Sequence, residues 1–279
     1  MVSNSRLRRP AATVLLTSGR KLLLPSDSTA AEPPSVRPLN REQMNTDRFL
    51  AEQKRYFTGS YEEFCSFGGP CVYFHDECLR AATEGFLSRR HVEMLYATLT
   101  AWGMHRMGDP KTTKTKLTGW DCFNESIMAQ SDVLQQFRGH RMLEMSATEY
   151  ADAVLALRPI YRRFKLSVSN ATVVVNSKAL FHLFPEFIPP IDRQYTVRFF
   201  KQTPERWRDR KGKFQAVSLP AGLDEQFELF REICIGMKRL ADRIEPGIFE
   251  QERRQHRVTA PKALDNAIVN FVTILSVAV

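Results

Sequence analysis

The chain lacks the short motifs that identify many enzymes from their sequence. It contains no GxxxxGK[ST] phosphate loop, no GxGxxG turn, no HExxH helix and no GxSxG elbow. Each of these motifs arranges backbone amides or side chains around a phosphate, a metal ion or an acyl group. Their absence removes the simplest enzyme assignments, so any chemistry has to come from a less common arrangement.

Cysteine is also scarce, with five residues and no CxxC pair. An odd number argues against a disulfide framework, and the missing Cys/His pairs argue against a structural zinc site. The nearest approach to a ligand set is Cys71, His75 and Cys78, which lacks a fourth partner. We interpret these as ordinary buried residues and predict no metal and no cofactor.

Long apolar runs are missing too. The longest near the C-terminus, residues 271–279, is far shorter than the ~20 residues that cross a bilayer, so we predict no membrane partner. Residues 1–26 carry five basic side chains and no acidic one, a composition that also occurs in organelle transit peptides. We expect a flexible basic tail on a cytoplasmic protein, with organelle targeting as the alternative.

The boundary between tail and domain follows from composition. Residues 26–38 are rich in Ser, Ala and Pro and poor in large apolar residues, so they are not expected to pack. The rest has ample core material, since 43% of the chain is hydrophobic and 19 residues are Phe. We therefore predict a flexible tail over residues 1–39 and one helical domain over residues 40–279.

Apolar residues repeat every three or four positions in four segments, a spacing typical of helices with one buried face. The four stripes are Val92, Leu95, Leu99 and Trp102; Tyr150, Val154, Leu157, Tyr161 and Phe164; Phe227, Phe230, Cys234 and Met237; and Leu264, Ile268 and Phe271. No strand-like alternation and no internal repeat is present. The sequence predicts an all-α fold, a single multi-helix globular domain with a disordered N-terminal tail.

Several helix boundaries can be predicted from local chemistry. Ser146 and Glu149 have the spacing of a capping box, and Pro159 is expected to kink or split the helix that follows. Residues 40–57 are predicted to be helical. Residues 172–184 begin with three valines that suit a strand, but their continuation favours a helix, which is our prediction. Thr203 and Pro204 predict a further short helix that ends by Gly212.

The most distinctive segment is residues 176–195. A helix is expected to stop near Pro185, and Pro189 with Pro190 then delivers Asp192 and Arg193 to the start of the next helix. Such a stiff turn fixes its polar side chains in space. Fixed geometry is what catalysis or ligand binding requires, because a carboxylate acts as a general base or charge stabiliser only within hydrogen-bond reach.

This segment, with residues 263–268 near the end, resembles a family of uncharacterised bacterial helical proteins. It is more distantly similar to the helix-hairpin-helix DNA glycosylases, in which a helix bearing Lys is followed by a turn bearing Asp. The similarity extends over roughly residues 90 to 275. It implies that Lys178 corresponds to the lysine of the motif and Asp192 to its carboxylate. The chain departs from the glycosylases in lacking the LxGxGxxTA hairpin and the cysteine quartet of an iron–sulfur cluster.

Lys178 and Asp192 are therefore the candidate catalytic residues, and each has a structural alternative. Asp192 could cap the next helix by accepting an amide hydrogen from Gln194 or Tyr195. Lys178 could be a solvated lysine on a helix surface. His182 follows Lys178 by one helical turn and is interpreted as a core or surface imidazole.

Basic residues indicate a polyanionic partner, DNA or RNA, since the net charge is +9 and the pI is near 9.5. The candidate nucleic-acid-binding residues are Arg193, Lys111, Lys114, Lys116, Arg206, Trp207, Arg208, Arg210 and Lys211. In the last cluster the cations could contact phosphates while the indole stacks on a base. The alternative for this cluster is a solvated basic loop.

Two functions follow from these patterns. The leading hypothesis is a helical DNA-associated protein that resembles base-excision glycosylases and uses Asp192 and Lys178. The alternative is a non-enzymatic interaction module, in which the distinctive segment is a helix-turn-helix corner of the core.

Overall fold

The computed structural model describes residues 40–66, 70–104, 117–209, 212–215 and 217–278. The predictions for residues 1–39, and those for Lys111, Lys114, Lys116, Arg210 and Lys211, lie outside these ranges. Within them no helix is both long enough and apolar enough to cross a membrane.

Fourteen α-helices occur in the described part of the chain. They are α1 Asn40–Ala51, α2 Gln53–Phe57, α3 Ser60–Ser66, α4 Cys71–Glu84, α5 Arg89–Leu99, α6 Trp120–Met128, α7 Ser131–Gln135, α8 Ala147–Ala156, α9 Arg158–Arg163, α10 Val173–Leu183, α11 Thr196–Lys201, α12 Leu223–Ala241, α13 Pro246–His256 and α14 Ala260–Ala278. The β-structure described is limited to two isolated bridges, Leu117 with Ser167 and Arg208 with Phe214. The all-α prediction is confirmed.

The predicted apolar stripes lie in the core. Their buried members are Val92, Leu95 and Leu99; Tyr150, Val154, Leu157, Tyr161 and Phe164; Phe227, Phe230, Cys234 and Met237; and Leu264, Ile268 and Phe271. Trp102, the last member of the first stripe, lies beyond α5, which ends at Leu99, in the turn Thr100–Met104. Its half-buried ring packs on the core residues Phe181 and His182, at 6.1 Å and 4.7 Å between ring centres.

Local boundary signals were reliable. Ser146 and Glu149 form the reciprocal capping box of α8, and Pro159 lies in the first turn of α9, so the predicted split is confirmed. The predicted helix over residues 172–184 is α10.

Two helix predictions were wrong in extent. The helix predicted for residues 40–57 is broken at Glu52 into α1 and α2. The short helix predicted after Thr203 is a single 3-10 turn, Pro204–Arg206. Burial of the following side chain, Trp207, and the antiparallel bridge of Arg208 to Phe214 turn the chain away from helical geometry.

Helix α10 passes through the interior and carries the candidate Lys178. It has no side-chain cap of its own, and Gln226 of α12 supplies the missing acceptor. The Gln226 side-chain oxygen accepts the amide hydrogens of Thr172 at 2.6 Å and Val173 at 3.1 Å, and its nitrogen donates to the carbonyl of Asn170 at 2.6 Å. One fully buried glutamine thus satisfies amides that α10 leaves free at its start.

Replacing Gln226 should therefore destabilise the domain. Gln226→Met keeps the side-chain length but removes the acceptor of the buried Val173 amide and the part-buried Thr172 amide, which should cost about 3 kcal/mol of unfolding free energy. Urea unfolding measures this change. The matched control is Gln251→Met on the exposed face of α13, which should stay within about 0.5 kcal/mol of wild type. Equal effects of the two substitutions would contradict the capping role.

Candidate functional site

The two candidate catalytic side chains lie next to each other. Lys178 projects from the middle of α10, Asp192 lies in the bend after that helix, and Lys178 Nζ is 3.6 Å from Asp192 Oδ2. The lysine side chain is 10% exposed and the aspartate side chain 33% exposed. The bend thus places an ammonium group and a carboxylate in one ion pair, with solvent access on the side of the carboxylate.

Ser177 fixes the bend to α10. Its hydroxyl donates to the carbonyl of Val174 at 3.0 Å and accepts the amide hydrogen of Ile191 at 3.2 Å. The bend is anchored from its other side, where the hydroxyl of Tyr150 donates to the carbonyl of Phe187 at 3.1 Å. Ser177 directly precedes Lys178, and Ile191 directly precedes Asp192. The hydrogen bond between Ser177 and Ile191 therefore holds the Lys178 and Asp192 side chains close to each other.

The two carboxylate oxygens of Asp192 face different partners. Oδ1 accepts the amide hydrogen of Gln194 at 2.7 Å, while Oδ2 faces Lys178. The backbone amide of Asp192 donates to Thr196 Oγ1 at 3.1 Å. The predicted amide contact with Gln194 is present, but Asp192 is not the cap of α11, which begins at Thr196. One oxygen therefore closes a local turn, and the other is directed at the lysine.

Lys178 is buried, so the alternative prediction of a solvated surface lysine is wrong. Its Nζ lies 5.5 Å from the ring centre of Trp102, within the range of a cation–π contact. The indole is itself held in place, since its Nε1 donates to the carbonyl of Cys71 at 3.2 Å. Aromatic packing and one carboxylate thus surround the amine.

A second ion pair lies beside the first. On α14, Lys262 Nζ donates to Asp265 Oδ2 at 3.0 Å and to Asn266 Oδ1 at 2.5 Å. It also lies 5.3 Å from the ring centre of Trp102, the indole that Lys178 contacts. Sequence reasoning missed Lys262, and it noted Asp265 only as part of the resemblance. The available signal was the spacing of Lys262, Asp265 and Asn266, which lie on one face of a helix rich in apolar residues.

Burial and charge act in opposite directions on this second pair. Burial lowers the pKa of Lys262, and the nearby Lys178 lowers it further, while Asp265 raises it. Burial raises the pKa of Asp265, and Lys262 opposes that shift. For both groups the effect of burial is the larger one, and the partner offsets only part of it.

A histidine pair connects α10 with α4. His182 Nδ1 lies 2.7 Å from the carbonyl of Lys178, so this nitrogen carries the proton and donates. His182 Nε2 then accepts from His75 Nδ1, at 3.1 Å. Burial is the main cause that lowers the pKa of His182 to about 3, and it holds the pKa of His75 well below 6.5. Both imidazoles are therefore neutral at physiological pH, and His182 is a core residue.

The basic loop after α11 differs from prediction at Trp207. Its side chain is 1% exposed, packs 6.1 Å from Phe271 between ring centres, and donates from Nε1 to the carbonyl of Gln202 at 3.4 Å. Trp207 therefore has no free face for a nucleobase, and that prediction is corrected. Arg206 remains exposed, whereas Arg208 is half-buried against Phe214, 4.8 Å from its ring centre.

Arg193 is exposed at the edge of the site and also has a structural contact. Its Nε donates to the carbonyl of Val217 at 2.5 Å. A buried neighbour, Arg198, donates to the carbonyls of Trp207 at 3.1 Å and Gln215 at 2.7 Å. The two arginines thus attach the basic loop to the segment that carries Asp192.

No group of His, Cys, Asp or Glu among the described residues is placed to hold a metal ion. A surface cleft of about 610 Å³ contains none of the site residues. Its charged lining consists of Arg158, Lys201, Asp224, Glu225, Glu228 and Glu232. With four carboxylates and two cations, this cleft is unsuited to a polyanion.

The histidine pair predicts a pH-dependent stability. The pKa of His182 is about 3 when folded and near 6.5 when unfolded, so its stabilisation is complete above pH 6.5 and is lost as the pH falls towards 3. His182→Asn keeps a donor near the position of Nδ1 but removes this titration. In urea unfolding between about pH 6 and about pH 4, its stability should fall less steeply than wild type, by about 1 kcal/mol per pH unit. Equal slopes would contradict the neutral buried imidazole.

No protein-family model, no curated protein and no solved structure matches this chain. The resemblance of residues 176–195 to the uncharacterised helical proteins and to the glycosylases therefore stays a hypothesis. The function has to be argued from the geometry of the Lys178–Asp192 pair.

Proposed function

We propose that this protein binds nucleic acid and that Lys178 and Asp192 are the catalytic residues of a reaction like that of the DNA glycosylases. The observation that carries the proposal is the ion pair of 3.6 Å between a buried amine and a carboxylate with one third of its side-chain surface exposed. A nucleophile beside a base, with one side open, is the basic arrangement of covalent catalysis.

The reaction begins with proton transfer, because only a neutral amine carries the lone pair that attacks carbon. Asp192 Oδ2 takes a proton from the ammonium group of Lys178. The amine then forms a bond to C1′ of the target nucleotide, and the bond between C1′ and the base breaks, so that the electron pair leaves with the base. The proton held by Asp192 passes to the departing base, which leaves neutral. The secondary ammonium formed at C1′ gives one of its protons to the ring oxygen as the C1′–O4′ bond breaks, and a protonated imine between Lys178 and C1′ remains.

The surroundings of the pair suit this chemistry. Trp102 and Tyr195 are half-buried aromatic side chains next to it, and partly exposed rings can stack on an unpaired base. Asp192 acts electrostatically on Tyr195, whose pKa is raised by burial and by this negative charge. A base bound against these rings would bring its sugar carbon near the amine.

Positive charge lies where a phosphate backbone could follow the site. Arg193 is the next residue after Asp192 and is exposed, and the attached loop presents Arg206 and Lys213 to solvent. Within the described part of the chain, none of these three side chains forms an ion pair with a carboxylate. Cations without such partners remain available for phosphates and release counterions on binding.

The second candidate is an interaction module without catalysis, and one observation favours it. The bend is closed by contacts that need no chemistry: Ser177 with Ile191, and Asp192 with Gln194 and Thr196. A corner with these contacts would be rigid whether or not Lys178 reacts. The two candidate functions differ in whether the amine of Lys178 reacts with DNA.

The catalytic proposal predicts a covalent product. Wild-type protein incubated with DNA containing an abasic site and sodium borohydride should form a reduced adduct, visible as a slower band on a denaturing gel. Lys178→Ala should abolish the adduct, and Asp192→Asn should slow its formation about 100-fold, since the base is lost. The matched control is Lys201→Ala, because Lys201 is also paired with a carboxylate, that of Glu232. Its adduct should form at the wild-type rate.

Thermal unfolding of the same variants distinguishes the interaction module from the catalytic function. If Lys178→Ala and Asp192→Asn lower the melting temperature sharply and leave nucleic-acid affinity intact, with no adduct in wild type, the corner is structural. An undiminished adduct in Lys178→Ala would show that another amine reacts.

The binding half of the proposal predicts a salt-dependent gel shift. Arg193→Ala and Arg206→Ala should each reduce the slope of log affinity against log salt by about 1, because each removes one phosphate contact. The control is Arg254→Ala, an exposed arginine already paired with Glu250, which should leave the slope unchanged. Absence of any shift at low salt, with single- or double-stranded DNA or RNA, would exclude nucleic-acid binding.

A further inference from the structure

The second ion pair is connected to the first by hydrogen bonds and by charge. The amide of Asp192 donates to Thr196 Oγ1 at 3.1 Å, and that hydroxyl donates to Asp265 Oδ1 at 3.2 Å. The other oxygen of Asp265 accepts from Lys262. The chain of contacts therefore runs from the backbone of one candidate catalytic residue to a buried ammonium group on α14.

The two ammonium groups share one aromatic neighbour. Lys178 Nζ and Lys262 Nζ lie 5.5 Å and 5.3 Å from the ring centre of Trp102. Lys262 lies even closer to Phe64, at 4.1 Å from its ring centre, and its side chain is only 5% exposed. The charge of Lys178 contributes to lowering the pKa of Lys262, so the two ammonium groups act on one another in this buried region.

We propose that Lys262 and Asp265 are positioning residues whose charges set the pH range over which the amine of Lys178 reacts. This inference deepens the proposed function, on which its catalytic meaning rests. Neither residue touches the reacting atoms. They act through the electrostatic field at Lys178 and through the Thr196 bridge to Asp192.

The direction of each effect follows from charge. A neighbouring cation disfavours an ammonium group and favours the neutral amine, whereas a neighbouring anion does the reverse. Lys262 should therefore extend the reactivity of Lys178 to lower pH, and Asp265 should limit it. The titratable and charged groups around the Lys178–Asp192 pair are His182, Lys262, Asp265, His75, His91, Tyr195, Arg198 and Glu63. Burial lowers the pKa of all three histidines, to about 4 for His91, so they are neutral and contribute no charge at physiological pH.

Two neighbouring positions allow a nearly isosteric test. Asp265→Asn removes one negative charge, and Asn266→Asp adds one, with almost no change in side-chain volume. The added carboxylate of Asn266→Asp would face Lys262, whose amine already contacts that side chain at 2.5 Å, so it would not be left unpaired. The two variants thus change the charge at the site by one unit in opposite directions.

The probe is formaldehyde with cyanoborohydride, a small uncharged aldehyde that methylates neutral amines. The extent of methylation of the peptide containing Lys178 is measured by mass spectrometry from about pH 6 to about pH 10. The profile should move by roughly one pH unit to lower pH in Asp265→Asn and to higher pH in Asn266→Asp. Lys262→Met should also move it upward, while Lys262→Arg, which keeps the charge, should leave it near wild type.

A purely structural role would move the profiles together or leave them in place. Shifts of the same sign in Asp265→Asn and Asn266→Asp, or no shift in folded Asn266→Asp, would overturn the inference. Because formaldehyde requires no DNA, the outcome does not depend on the proposed function. If opposite shifts are found and no borohydride adduct forms with DNA, the electrostatic coupling stands and the glycosylase-like reaction falls.

Discussion

Three lysines are buried in the described part of the chain, each with a carboxylate next to it, and two of them, Lys178 and Lys262, lie at the candidate site. An unpaired buried charge costs several kcal/mol, so Lys178 and Lys262 can be buried only where Asp192 and Asp265 lie within reach. The first pairing requires the chain to turn back after α10. The second requires the start of α14 to pack against that turn, where Thr196 bridges the two carboxylate-bearing segments. Charge pairing therefore constrains how α10, the bend after it, α11 and α14 meet in the core.

This constraint explains the unusual detail of the bend. Pro189 and Pro190 restrict its backbone, and the Ser177 hydroxyl holds Ile191 by its amide hydrogen. Together they leave Asp192 little freedom, so its two oxygens can serve two partners at once. A more flexible loop would have to lose conformational entropy each time the ion pair formed. The stiffness noted in the sequence is thus the property that makes a partly open ion pair possible.

The sequence predicted the features that depend on neighbouring residues, and it did not predict those that depend on contacts between distant parts of the chain. The stripes of Tyr150 and Phe227 and the capping box of Ser146 depend on residues within one or two turns, and all were found in the structure. Trp207 was misplaced because its burial depends on packing against Phe271, which is distant in sequence. Lys262 was missed for the same reason. Nothing near it in the sequence indicates that α14 turns this residue towards the α10 helix.

The geometry also bears on whether the first ion pair is a structural device alone. The corner is already closed by the contacts of Ser177 and of Asp192 Oδ1, neither of which involves the amine. Buried ion pairs stabilise proteins weakly, since the cost of removing both charges from water offsets most of their attraction. A core built for stability alone would be served as well by an apolar side chain in place of Lys178. The proposed reaction, by contrast, needs a base beside the amine and access from solvent; Asp192 Oδ2 lies 3.6 Å from Lys178 Nζ, and the Asp192 side chain is 33% exposed.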